Sequence, residues 1–195
     1  MNEVFEKVLM KEVRAALFAK WLIDMAELFN MPFSDYSRIH RHALCTHISE
    51  FVTVGLYYVK KQREVYLSCH NDDRVSLYTC IINSIEKFVD ALTEDEYIYL
   101  FHLRNQACHI FAIAYDYIDI NGNVKSKLET RITTKKGKEK LDIHVLEGRL
   151  KTTICKYGAN DAVFMEYIYN KSKEIFTPMF MEIDRIGEHI KNKYE

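Results

Sequence analysis

Proline and glycine are scarce, two and six in 195 residues, which excludes a collagen-like, linker-like or low-complexity chain. No Gly-x-x-x-x-Gly-Lys loop occurs, so a phosphate cradle for ATP or GTP is absent and no cofactor is expected. No stretch approaches the roughly 18 uninterrupted apolar residues of a membrane span. The opening Met1-Asn2-Glu3-Val4-Phe5-Glu6-Lys7 also lacks the basic-then-apolar layout of a signal peptide, so a cytoplasmic protein without a membrane partner is expected. Cys45, Cys69, Cys80, Cys108 and Cys155 are odd in number, widely spaced and without a Cys-x-x-Cys pair. They outline neither a disulfide framework nor a zinc ribbon and read as reduced, mostly buried thiols. A formal net charge of -1 argues against coating nucleic acid by bulk electrostatics.

What is present is hydrophobic content of 48%, enough for a proper core in one domain over 1–195. Apolar residues at helical spacing (Val4, Leu9, Val13, Leu17, Trp21, Ile23, Met25, Leu28) predict a first helix stopped by Asn30-Met31-Pro32. Ser34 or Asp35 can cap a second helix reaching about Leu67, with Ile39, Leu44, Ile48, Phe51, Val54, Leu56, Tyr58 and Val59 as its buried stripe. Asn71-Asp72-Asp73 breaks the chain before a third. Thr93-Glu94-Asp95-Glu96 is a capping box, the hydroxyl accepting from the Glu96 N–H while the Glu96 carboxylate reaches back. The fourth helix starts there and runs to about Tyr115.

Over 116–156 the period falls to two, with turn signals at Asn121-Gly122, Lys136-Gly137 and Glu147-Gly148, predicting a small antiparallel meander. From Asn160 or Asp161 a last helix follows, kinked or interrupted near Pro178. The expected fold is mainly α, an antiparallel bundle of about five helices with the meander inserted before the last. Charge singles out the insertion: residues 121–157 carry ten Lys or Arg against four carboxylates, a balance of +6 that leaves -7 for the rest. Lys125, Lys127, Arg131, Lys135, Lys136 and Lys138 are therefore candidates to hold an RNA backbone. The alternative is that lysines stud strand edges to prevent sheet-to-sheet aggregation.

On the fourth helix Tyr97, Leu100, Phe101, Leu103, Ala107, Ile110, Phe111 and Ala114 gather on one broad face. Ile98, His102, Asn105, His109 and Ile113 fall opposite, a semi-polar face that suggests an interface or cleft. Arg104 and His109 lie about 140° apart on the wheel, so one helix alone does not aim both at one phosphate, whereas two copies about a twofold axis do.

Arg104-Asn105-Gln106-Ala107-Cys108-His109 resembles the Arg-(polar)-x-x-x-His signature of the HEPN superfamily, helical domains of bacterial toxins and antiphage defence proteins. The resemblance implies a homodimeric, metal-independent endoribonuclease with a composite active site. His109 would act as general base or acid at the ribose 2′-hydroxyl or the leaving oxygen. Arg104 would stabilise charge on the phosphate, with Asn105 orienting one of them or the RNA backbone. Cyclic phosphate and 5′-hydroxyl ends would result, and a cognate antitoxin or regulatory protein is a possible partner. In one subgroup a tyrosine two residues after the histidine is the modification site; here that position is Phe111. The alternative is a non-catalytic helical module binding RNA, nucleotide or a partner protein through the same face.

Arg41 and His47 also lie within four to six residues of each other, but lack the asparagine and the capped apolar helix. His40, His42, Cys45, His47 and Glu50 crowd one stretch of the second helix without His-Glu-x-x-His or Glu-x-x-His spacing, so a polar helix face is preferred to a metal site. Cys108 and His109, adjacent on a helix, point about 100° apart and do not make a thiol nucleophile pair.

Overall fold

The computed structural model describes the backbone over residues 3–108 and 129–194, and side chains over 15–105 and 131–193 apart from 143. The described chain is mainly helical with one small two-stranded antiparallel sheet. In order come α1 (Glu3–Leu28), a 3-10 turn (Phe33–Asp35), α2 (Arg38–Glu50), a π-helical segment (Phe51–Gly55), α3 (Leu56–Ser68), α4 (Asp72–Ala91) and α5 (Glu94–Cys108). Then follow β1 (Glu129–Thr134), β2 (Gly137–Asp142), α6 (Ile143–Tyr157) and α7 (Asp161–Tyr194).

α1 ends where Asn30-Met31-Pro32 directs, but its cap-side neighbours differ from expectation. Pro32 starts the short 3-10 turn that takes up Ser34 and Asp35, and Ser37 caps α2 by accepting from the His40 N–H at 3.4 Å. Beyond Glu50 the helix does not continue in one period. Ser49 Oγ donates to the Cys45 carbonyl at 2.7 Å and Thr53 Oγ1 to the Ser49 carbonyl at 2.8 Å. Such hydroxyls compete for helical carbonyls and loosen the ladder, here where it widens into the π segment. The anticipated stripe is correspondingly split: Leu44, Ile48, Phe51 and Val59 are buried, while Ile39 and Val54 are exposed.

The core centres on Phe176 of α7, whose ring lies 5.2 Å from Phe51, 5.3 Å from Phe88 and 6.4 Å from Phe29. α4 packs antiparallel to α3, with Tyr66 stacked on Tyr78 at 5.6 Å and Lys60 paired to Glu86 at 2.7 Å. α4 also lies against α7, and α2 against α5 and α7. α7 is one helix through Pro178, so of the expected kink or interruption the interruption is not there. At 34 residues it is about 51 Å long by helical rise, and its Lys193 reaches Asp73 at the start of α4 at 2.9 Å.

Among the described residues, the expected meander shows one hairpin. Thr134 opposes Gly137 across a two-residue Lys135-Lys136 turn, with Gly137 at φ 123°. Residues 143–157 are a helix, not a strand, and the turn expected at Glu147-Gly148 lies inside it. Asp142 caps this helix by accepting from the His144 N–H at 2.8 Å, and Leu146, Leu150, Thr153 and Tyr157 recur at helical spacing on its packed side. That spacing was available as a signal, masked by β-branched residues and a glycine that favour a strand reading. The turn expected at Asn121-Gly122 and the helix extension to Tyr115 lie outside the described residues.

The Thr93 capping box forms as its sequence dictates: the Glu96 N–H donates to Thr93 Oγ1 at 3.2 Å and the Thr93 N–H to Glu96 Oε2 at 2.8 Å. The other carboxylate oxygen accepts from Lys156 Nζ at 2.6 Å and Tyr157 OH at 2.5 Å, tying α6 to the start of α5. Burial opposes ionisation of Glu96, but Lys156, Tyr157 and the Thr93 N–H outweigh it and hold the carboxyl below its ordinary range. A depressed folded-state pKa gives stability that is present above the unfolded value, about 4.3, and is lost as pH falls through the folded one. Glu96→Gln is expected to cost about 1–3 kcal/mol at pH 7. In acid urea titrations the difference from wild type should shrink below about pH 4; a constant difference would contradict the assignment.

Candidate active site on the motif helix

α5 is covered on both sides over its first half. Leu100 and Leu103 enter the main core, and Ile98, which the wheel set on the open face, is 2% exposed. It packs with Ile132 of β1 and Leu146 of α6. The hairpin and α6 thus cover that end of the semi-polar face from within the chain, leaving any cleft to its second half.

There Arg104 lies with its side chain 29% exposed. Its Nη2 donates to Glu50 Oε1 of α2 and forms an ion pair with that carboxylate. Nη1 donates to Asn105 Oδ1 at 3.0 Å. The guanidinium is thereby clamped between the neighbouring side chain on its own helix and the last residue of α2, immediately before the π segment. Its Nε is buried without a hydrogen-bond partner among the described residues. Glu50 is the residue that reading the sequence did not connect to Arg104: it stood among the histidines of α2, 54 positions away. His109 lies outside the described residues, as do Lys125, Lys127 and the side chain of Cys108.

His102, one turn before Asn105, is half-buried. Burial lowers the pKa of its imidazole, with the charge of Asp161 acting the other way. Tyr99 OH donates to Asp161 Oδ1 at 2.7 Å, and the Tyr99 ring lies 6.2 Å from that of His102. Burial and the adjoining Asp161 carboxylate keep the Tyr99 phenol protonated well above its usual range.

The residues crowded on α2 disperse. His47 Nδ1 accepts from Trp21 Nε1 at 3.0 Å, and Cys45 is buried, its thiol pushed up to about 12 chiefly by burial. Glu50 is committed to Arg104 and Arg41 lies over the Phe33 ring. Among the described residues no group of three His, Cys, Asp or Glu is placed to hold a metal ion. Cys69 and Cys155 are exposed, a correction to the expectation of mostly buried thiols, and their helix-end and outer-face positions explain it.

The hairpin lysines have unequal surroundings. Arg131, Lys136 and Lys138 are exposed. Lys135 instead joins the hairpin to the α4–α5 connection, its backbone N–H donating to Glu94 Oε1 at 3.2 Å and its ammonium to the Leu92 carbonyl. No helix among the described residues is long and apolar enough to cross a membrane. Set against known proteins, the chain matches no family model, no curated protein and no solved structure.

Proposed function

We propose that the chain is a HEPN-type, metal-independent endoribonuclease, a helical bundle that acts as a homodimer in the manner of a toxin or antiphage defence effector. The reading treats 1–195 as one domain, with the 129–142 hairpin lying within its basic 116–156 insertion. The observation that carries it is the clamp on Arg104: a partly exposed guanidinium held by Glu50 and Asn105 on the helix that bears the Arg-Asn-x-x-x-His sequence. A fixed positive charge stabilises a phosphorane-like transition state without reorganising as the reaction proceeds.

In this mechanism His109 of one subunit accepts the proton of a ribose 2′-hydroxyl. The 2′-oxygen then bonds to phosphorus, the bond from phosphorus to the 5′-oxygen breaks, and the leaving oxygen takes a proton from the partner's His109. Arg104 neutralises the charge on the non-bridging oxygens. The products are a cyclic phosphate and a 5′-hydroxyl. Exposed Arg131, Lys136 and Lys138 would steer the RNA backbone.

One observation favours a second reading. The Glu50–Arg104 pair joins α2 to α5 and serves as a strut whether or not any RNA is cut, as in a non-catalytic module binding RNA or a partner protein. Cleavage of total RNA in EDTA separates the two. The enzyme reading expects cyclic phosphate ends from the wild type and their loss in His109→Ala with unchanged helical circular dichroism. Intact RNA with both proteins, each still dimeric by light scattering, would favour the module.

A further inference from the structure

A cavity of about 620 Å³ lies between the first turns of α2 and the start of α7, walled by Arg38, Arg41, His42, Asn160, Asp161 and Met165. Two guanidinium groups and an imidazole thus face a single carboxylate, and Asp161 already accepts from Tyr99 OH through Oδ1. Arg41 places its guanidinium carbon 4.8 Å from the centroid of the Phe33 ring, which steadies the group without supplying a counter-charge. Arg41 Nε and His42 Nδ1 are buried and have no hydrogen-bond partner among the described residues. Buried polar nitrogens without partners are uncommon in folded chains, and the two guanidinium groups outnumber the one carboxylate that shares the cavity with them.

We propose that this cavity is a phosphate-binding site. A planar guanidinium presents paired N–H donors that match phosphoryl oxygens. The volume falls in the range of small-ligand sites, roughly 300–1,000 Å³, large enough for a nucleoside attached to the phosphate. A free nucleotide and an RNA backbone both carry such a phosphoryl group. An RNA backbone as the source of the phosphate would link this cavity to the proposed nuclease. That link rests on the proposed nuclease; the binding of phosphate does not.

Isothermal titration of the full-length chain tests it with inorganic phosphate, AMP and a 2′-O-methyl RNA hexamer that no ribonuclease of this kind can cut. Saturable binding is expected, weakened about tenfold or more in Arg38→Gln and Arg41→Gln, in line with the loss of a charged hydrogen bond, and unchanged in Lys61→Gln. Binding of AMP or phosphate identifies a free-nucleotide site; binding of the hexamer alone identifies the RNA backbone. Should Arg41→Gln fail to fold, Arg38→Gln, an exposed change, carries the comparison. No binding of any probe, or binding equal in the arginine variants and wild type, overturns the proposal. Because the probes are not cleaved, a failed RNA-cleavage assay leaves this result intact.

Discussion

On the proposed nuclease mechanism, Arg104→Ala is expected to lower the rate of RNA cleavage by about 10²–10³-fold, the cost of removing one fixed donor that this mechanism aims at developing negative charge. The loss should fall on kcat more than on KM, because the charge on phosphate grows between bound substrate and transition state. Arg104→Lys should not restore the rate. An ammonium offers a point charge where the clamp engages separate prongs of a planar group, Nη2 to Glu50 and Nη1 to Asn105. Removing the arginine leaves Glu50, a third exposed, within reach of water, so the fold should lose little stability, about 0–1 kcal/mol. The measurement is single-turnover cleavage of a labelled RNA in EDTA beside a urea titration. Wild-type cleavage by Arg104→Ala would reduce the clamp to a strut between helices.

Phe176→Ala should be the most damaging single change to the fold, costing about 3–5 kcal/mol. The side chain is fully buried and its ring lies against Phe29 just after α1, Phe51 of the π segment and Phe88 of α4 together. Truncation leaves a cavity bounded by elements that cannot all move inward at once, which places the cost toward the upper part of that range. Chemical denaturation reads the difference directly, with Phe180→Ala, a partly buried neighbour on the same helix, expected to cost less. Equal losses for the two would show that Phe176 is not the centre of the core.

Local rules carried much of the architecture. The capping box at Thr93, the stop at Asn30-Met31-Pro32, the break at Asn71 and the hairpin turn before Gly137 each rest on hydrogen bonds within a few residues, and each is where its sequence puts it. In α6, Gly148 and the threonines suggest strand and turn, while the cap at Asp142 and the contacts of Leu146 and Leu150 with α5 and the hairpin decide for helix. That is tertiary packing overriding propensity. The site follows the same division. Arg104 and Asn105 could be picked from the motif, but the partnership of Arg104 with Glu50 and the meeting of Arg41 and His42 with Asp161 depend on which helices become neighbours. No short-range pattern encodes that.

The π segment at Phe51–Gly55 bears on how α2 and α3 are used. Each π turn takes up one residue more than an α turn, so side chains beyond it point roughly 100° away from where an unbroken helix would aim them. Upstream, α2 gives its apolar side to α5 and α7; downstream, α3 gives its own to α4. A single rod with one greasy seam could satisfy neighbours along one direction only. The extra residue works as a phase shifter, letting one continuous rod serve partners on two different flanks while Glu50, at the edge of the shift, stays turned toward Arg104.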